Sequence, residues 1–202
     1  MHTDVLTESQ RKLFPLLREM NSSFGLVGGT AIALQLGHRR SIDFDLFTHQ
    51  PFDSLSLRDI IRKKHQINQT MIDTENELTL AVDGVKLTFY KYPYVLNYSE
   101  NLEEIIKMPS VITLAAMKAF AIGRRAKWKD YVDLYFVMKE YGFASVLAAA
   151  HEIFGEEFNE KTFRSQLCYF DDIDYSEHVE YLLNDHPADE AIRDYLVSTA
   201  TE

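Results

Sequence analysis

Two aspartates in the stretch SIDFDLF, Asp43 and Asp45, alternate with Ile42, Phe44 and Leu46. Alternation with period two marks a half-buried strand. On such a strand Ile42, Phe44 and Leu46 face the core. Both carboxylates then leave from the opposite face, about 7 Å apart along the backbone. Like charges that close repel unless a cation lies between them. An oxygen-rich, partly open pair suits Mg²⁺ or Mn²⁺, which keep several waters and take substrate phosphates as remaining ligands.

The second chemical feature stands just upstream. Gly28-Gly29 follows an apolar run, Phe24 to Val27, and precedes a short helical segment expected to open at Thr30. Two adjacent residues without Cβ let backbone N–H groups approach a ligand closely, and a helix N-terminus favours an anion. A glycine cradle followed by a metal-binding carboxylate pair fits a nucleoside triphosphate, its phosphates shared between helix N-terminus and metal.

The elements that must position these groups read as follows. Thr7 to Gln10 fits a capping box opening an amphipathic helix over 8–21, with Leu13, Phe14, Leu17 and Met20 inward. Residues 54–64 form a helix whose basic end, Arg62-Lys63-Lys64, is a solvated turn that complements the helix dipole. Residues 66–92 form sheet, with Asp83-Gly84 as a two-residue hairpin turn between 78–82 and 85–90. Parity along the second strand puts Val85, Leu87 and Phe89 on one side and Lys86, Thr88 and Tyr90 on the other.

From Pro109 onward the pattern is helical, over 113–127, 129–138, 143–154, 159–169, 177–183 and 188–197, with a solvated acidic loop at 170–174. Lys118 lies inside an apolar helix, either snorkelling to water or reaching an anion in a cleft. Asp130 and Asp133 share one helix face. Asp133 reads as a dipole-favoured charge paired with Arg124, Arg125 or Lys127, and Asp130 as either that or a functional group.

Composition bounds the rest. With 202 residues, 46% of them hydrophobic, the chain can bury a sizeable core as one large domain or two small ones. A net charge of −10 argues against a general nucleic-acid coat, though not against a local basic patch. No signal peptide or membrane span is evident, so a cytoplasmic protein with no membrane partner is expected. Cys168 is the single cysteine, which forbids an internal disulfide and reads as a buried structural residue.

A phosphatase of the haloacid-dehalogenase type also carries Asp-x-Asp. There the pair follows a fully buried strand, whereas Asp43 follows the mostly polar His38-Arg39-Arg40-Ser41, and that reading leaves Gly28-Gly29 without a role. Strand, Gly-Gly-Thr, helix, basic turn and Asp-x-Asp strand in this order, LVGGTAIALQLGHRRSIDFDLF, followed at 115–136 by AAMKAFAIGRRAKWKDYVDLYF, resembles the nucleotidyltransferases of the AbiEii/AbiGii toxin type, within the DNA polymerase β-like superfamily. The resemblance is strong over 24–47 and 114–138, weak between them and absent after about residue 142.

That resemblance implies an α+β fold, a polymerase β-like mixed sheet with flanking helices over 1–108 and a helical half over 109–202 closing over the nucleotide. It implies that Gly28 and Gly29, with Thr30, Ser41 and Lys118, bind nucleotide, that Asp43 and Asp45 hold Mg²⁺ or Mn²⁺, and that Lys118 and Asp130 complete the catalytic set. It implies transfer of a nucleoside monophosphate from an NTP to an acceptor, tRNA, another RNA or protein, and an antitoxin encoded nearby. Arg39, Arg40, Arg124, Arg125 and Lys127 would form a basic rim for an RNA acceptor. One departure stands out: where such enzymes commonly carry a third carboxylate, the strand at 86–90 offers Thr88, no base at neutral pH. A catalytically silent nucleotide- or partner-binding module is therefore the alternative.

Overall fold

In the computed structural model, which describes residues 1–122 and 126–202, a single 3-10 turn, Thr3–Val5, leads into two short helices, α1 (Glu8–Lys12) and α2 (Phe14–Met20). The Thr7–Gln10 capping box forms, but the single expected helix is broken at Leu13. Pro15 in the first turn of α2 has no N–H to continue the ladder, so the second helix starts afresh.

The sheet follows: β1 (Gly25–Val27), β2 (Phe44–Thr48), β3 (Ile67–Asp73), β4 (Glu77–Val82) and β5 (Val85–Lys91), in spatial order β1-β2-β5-β4-β3. Only β2 and β5 run parallel; the other three pairings are antiparallel. Asp83 and Gly84 both take positive φ, 49° and 81°, the backbone of a type I′ turn between β4 and β5. Phe44, Leu46, Leu78, Leu80, Leu87 and Phe89 are completely buried on one face. The alternate residues Asp45, Phe47, Glu77, Thr79, Thr88 and Tyr90 line a cavity on the other.

Helix α3 (Gly28–Leu36) joins β1 to β2 and starts at Gly28, two residues before the expected position, so the glycine pair forms its first turn. Strand β2 begins only at Phe44, and Ile42, expected in the core, is 54% exposed because it belongs to the preceding turn. Helix α4 (Ser54–Arg62) is capped by the Asp53 side chain. A small hairpin, β6 (Glu100–Leu102) with β7 (Ile106–Met108), precedes the helical part.

That part comprises α5 (Val111–Ile122), α6 (Trp128–Tyr141), α7 (Phe143–Phe154), α8 (Glu160–Leu167) and α9 (Asp189–Thr201). Helix α5 packs on α3, α6 and α7, and α6 packs on α3 as well, which brings the helical part against the glycine turn. The helix expected over 177–183 does not form. Its backbone instead pairs with the turn before β2, with Arg40 N–H donating to Glu180 O and Leu182 N–H to His38 O. Those groups are satisfied across the chain, so a helix there gains nothing. Cys168, expected to be buried, ends α8 on the surface. No helix among the described residues is long and apolar enough to cross a membrane.

Candidate active site

Gly28 has φ +72°, and a β-carbon there would collide with Asp45 Oδ2. Backbone and carboxylate touch because β1 and β2 are adjacent, with Val27 paired to Asp45. Gly29 is equally constrained: its β-carbon would lie 2.5 Å from the Arg39 Nη2 atom and 3.5 Å from Asp133 Oδ2. Thr30 is buried and donates its hydroxyl to Ser41 Oγ at 2.8 Å, and it is also close to the carbonyl of Asp43. This pins the turn that carries Asp43 to the helix start.

Asp43 and Asp45 are half-buried, and Lys86 Nζ on β5 stands 3.8 Å from Asp43 Oδ2. Thr88, on the same face, is the residue paired with Asp45. Thr88, where the resemblance leads one to expect a third carboxylate, is thus next to Asp45 in the sheet.

Across from these groups lies a buried charge network. Lys118 on α5, 7% exposed, pairs with Asp130 of α6 and with Asp133 at 3.0 Å. Asp133, with no exposure at all, also accepts two bonds of 2.7 Å from the Arg39 guanidinium and one of 2.7 Å from His38 Nε2. Burial alone would lower the Lys118 pKa, but the two carboxylates outweigh it and hold the ammonium above its usual value. Burial would raise the Asp133 carboxyl; Arg39 and Lys118 instead hold it well below the usual range. His38 is pushed down by burial and stays neutral, so Nε2 carries the proton given to Asp133.

Asp133 therefore differs from its expected role. It is the hub of a buried network rather than a helix-end charge, because α6 packs against α3 with that face inward. The expected basic rim is also redistributed. Arg39 is buried against Asp133, Arg40 pairs with Glu180 at 2.8 Å, and Lys127 pairs with Glu177. Arg124 and Arg125 lie outside the described residues.

The expected site residues converge. A polar cavity of about 100 Å³ is lined by Gly29, Thr30, Ser41, Asp43, Asp45, Lys118 and Asp130, together with Arg39, Lys86, Lys127, Lys129 and Glu177. A second cavity, of about 370 Å³, adjoins it and shares Asp45, Lys86 and Lys118; Gly28 opens onto this one. Among the described residues no group of three or more His, Cys, Asp or Glu side chains is arranged to hold a metal. Two carboxylates with the other positions left to water and phosphate nonetheless fit Mg²⁺, whose sites use one or two protein carboxylates.

Lys86, Glu77 and the Arg39–Asp133 pair were not singled out from the sequence as site groups. Parity already put Lys86 beside Thr88 and Tyr90, but only the parallel pairing of β5 with β2 brings that face to Asp43.

The sequence matches, over residues 16–197, the family described as nucleotidyl transferase AbiEii toxin of type IV toxin–antitoxin systems. The chain belongs to this AbiEii family. A relative, the uncharacterized protein aq_aa25 of Aquifex aeolicus (strain VF5), is 38% identical over 125 residues, which is 60% of this chain. The match spans 60% of the relative's length as well. MenT4, a nucleotidyltransferase toxin of Mycobacterium tuberculosis, superposes with TM-score 0.60 at 13% identity, over 96% of this chain and 83% of that one. JHP933 of Helicobacter pylori superposes with TM-score 0.56 at 21% identity, over 97% and 92%. The AbiEii chain thus has the α+β nucleotidyltransferase fold its sequence motifs resemble.

Proposed function

We propose that this AbiEii protein transfers a nucleoside monophosphate from an NTP to an RNA acceptor such as tRNA, acting in the cytoplasm as a toxin restrained by an antitoxin. The observation that carries the reading is the contact of Gly28 with Asp45, which sets the glycine cradle and the carboxylate pair at one hollow. In the reaction the acceptor hydroxyl attacks the α-phosphorus; a new P–O bond forms as the bond to the β-phosphate oxygen breaks, and pyrophosphate leaves.

The chain's own groups divide this work. N–H groups of the first turn of α3 and the Ser41 hydroxyl, which Thr30 braces, receive the phosphate tail. Lys118 donates to Asp130 and is ion-paired with Asp133 at 3.0 Å, and it lines both cavities, where its ammonium meets a phosphate oxygen. The two carboxylates keep it charged and fixed, so little reorganisation is needed as negative charge moves to the leaving group. Asp43 and Asp45 would hold Mg²⁺, which neutralises charge on the phosphates. Asp130 is engaged by Lys118 and Thr88 is no base, so the acceptor proton passes to water at the cleft mouth. The helical half, 109–202, closes the site by placing α5 and α6 over it.

The test is incubation with each NTP, Mg²⁺ and total cellular RNA. Label transfer that disappears in Asp45→Ala supports the reading; absence of any Mg²⁺-dependent NTP binding by calorimetry overturns it. Thr88 beside Asp45 favours one second reading, a catalytically silent nucleotide-binding module. NTP binding without transfer to any RNA or protein would select it.

A further inference from the structure

The edge of the sheet farthest from β1 carries a charge pattern that the cleft does not use. Helix α4 ends at Arg62, Lys63 and Lys64 follow it, and an open hollow of about 730 Å³ lies between that end and the edge strand β3. Arg58, Arg62, Lys63 and Lys64 line it with Asn68 and Gln69. Arg58, 8% exposed, is its fixed point: Nη1 donates to Thr70 Oγ1 at 2.8 Å and Nη2 to Asp73 Oδ2 at 2.7 Å, which ties α4 to β3. His65, also in the wall, pairs with Asp83 at 2.8 Å. Among the described residues no carboxylate lines the hollow, and none pairs with Arg62, Lys63 or Lys64. On a chain of net charge −10, these consecutive exposed cations make a local positive field. The helix dipole accounts for a cation in the last turn of α4, but not for a concave wall that adds amides from β3.

The lining also selects the kind of polyanion. Ile67 is its only apolar side chain among the described residues, so a protein partner would find no hydrophobic core for an interface. Guanidinium, ammonium and amide groups are instead the set that holds the phosphate oxygens of a nucleic-acid backbone. Sheet register links the hollow to the carboxylates. Lys86 stands 3.8 Å from Asp43 and pairs with Ala81 on β4, and Ala81 pairs with Gln69 on β3. Residues directly opposite one another share a face, so these three form one row across the cleft side of the sheet. In that row only the Ala81 methyl stands between Lys86 and Gln69, and two strand spacings put their backbones about 10 Å apart. A strand that presents its end hydroxyl at Asp43 and Asp45 can cross the sheet over Ala81 and meet the hollow a few nucleotides back.

We propose that the hollow between α4 and β3 binds the backbone of the acceptor RNA, taking phosphates a few nucleotides behind the reacting end on Arg62, Lys63 and Lys64, with Asn68 and Gln69 as further donors. The proposal rests on the nucleotidyl-transfer reading with an RNA acceptor. Phosphate contacts position a strand without reading its sequence, so the hollow sets the path of the acceptor and not its bases.

The experiment compares the unaltered protein with a variant carrying Arg62→Ala, Lys63→Ala and Lys64→Ala. A control carries Lys12→Ala, Lys139→Ala and Lys161→Ala, exposed lysines elsewhere whose loss changes the net charge equally. Fluorescence anisotropy over a range of salt concentrations measures binding of a single-stranded RNA of about twelve nucleotides and of a dinucleotide, which spans too little to reach the hollow. The unaltered protein should bind the longer RNA about tenfold or more tighter than the dinucleotide, and the hollow variant should lose most of that difference. Its slope of log affinity against log salt should fall by about two, at about 0.7 for each single-strand phosphate contact, while the control keeps both affinity and slope. If the triple change prevents folding, Lys63→Glu replaces it and should weaken the longer RNA severalfold. Equal losses in the control and the hollow variant, or none in the hollow variant, overturn the proposal. Displacement of the RNA by poly-glutamate at equal charge concentration overturns it in favour of an acidic protein. Mg²⁺-dependent NTP binding by calorimetry on the same preparations leaves the nucleotide site standing in those cases. Absence of NTP binding in the unaltered protein overturns both.

Discussion

Gly28 and Asp45 share a volume that a single added methyl group would fill. The Asp45 carboxylate leans over the backbone at the start of α3, so close that a β-carbon on Gly28 would strike Oδ2 and come within 3.2 Å of Cγ. At φ +72° the backbone there is also one that a β-carbon disfavours. Gly28→Ala therefore moves Asp45 or the helix start. The expected result is loss of at least about a hundredfold in transfer rate, since displacements near 1 Å cost that much at reacting groups. Stability should fall by only about 1–2 kcal/mol, the usual cost of a residue forced into the left-handed region. Single-turnover kinetics alongside urea unfolding separates the two, and full activity in the alanine variant would show that Asp45 needs no such contact.

Asp133 is the residue on which the two halves of the site depend for their charge balance. Arg39 before β2 and Lys118 on α5 are both buried, and both meet on its carboxylate. Removing one partner from a buried ion network leaves charge uncompensated, at roughly 3–5 kcal/mol. Asp133→Asn is expected to lower the melting temperature by about 6–20 °C, at roughly 2–4 °C per kcal/mol for a chain of this size. Lys118→Met should cost less stability, because Arg39 still neutralises Asp133, which has no exposure, and Asp130 lies at the cavity wall where water can reach it, yet it should abolish transfer. Thermal unfolding and label transfer on the same preparations test the contrast; equal effects of both variants on both readouts would contradict it.

Acid should destabilise the protein in two steps of the same sign. The folded His38 imidazole has its pKa below the ordinary value because burial outweighs the bond to Asp133. Between the two values the unfolded chain binds more protons, so stability rises with pH through that window and is lost as pH falls below about 6.5. The Asp133 carboxyl is depressed as well, so its contribution is complete above about 3.9 and disappears as pH falls further toward its folded value. Urea unfolding at pH 7.5, 6 and 5 should therefore show a decline that His38→Gln, which keeps an N–H donor for Asp133, largely removes. A flat profile in the unaltered protein would mean that His38 titrates normally.

The glycine turn, the strand that carries Asp45 and the Asp83-Gly84 hairpin were legible because each is written in consecutive residues, although Asp43, expected on that strand, stands just before it. What could not be read depends on pairings between distant segments. Lys86 becomes a neighbour of Asp43 only because β5 lies parallel to β2, and no local pattern encodes that register. Asp133 looked like a helix-end charge because its spacing from Asp130 is the same whether the face is wet or dry; its burial comes from α3 and α5 packing on α6. Residues 177–183 carry helical spacing, yet the backbone at His38 and Arg40 offers them cross-chain partners. Ile42 fits the strand alternation but stands one turn too early to be in the strand.

Residues 170–188 carry the last consequence, because that acidic connection sends one carboxylate into the cleft. Glu177 contacts Lys127 and sits 3.1 Å from Lys129, and both lysines line the polar cavity with Asp43 and Asp45. The lysines hold the Glu177 carboxyl down to about 2, so it is charged at any working pH. A phosphate group reaching those lysines must compete with it. Glu177→Gln removes the charge and keeps the shape, and is expected to raise the affinity for NTP or RNA severalfold at low salt. The gain should shrink at 0.5 M salt, where partly exposed charges are screened. Because the pair is partly exposed, melting should change little. Titration of the unaltered protein and of Glu177→Gln with NTP and with RNA at two salt concentrations decides it; an affinity that falls in Glu177→Gln would mean that the carboxylate positions the lysines for the anion instead of competing with it.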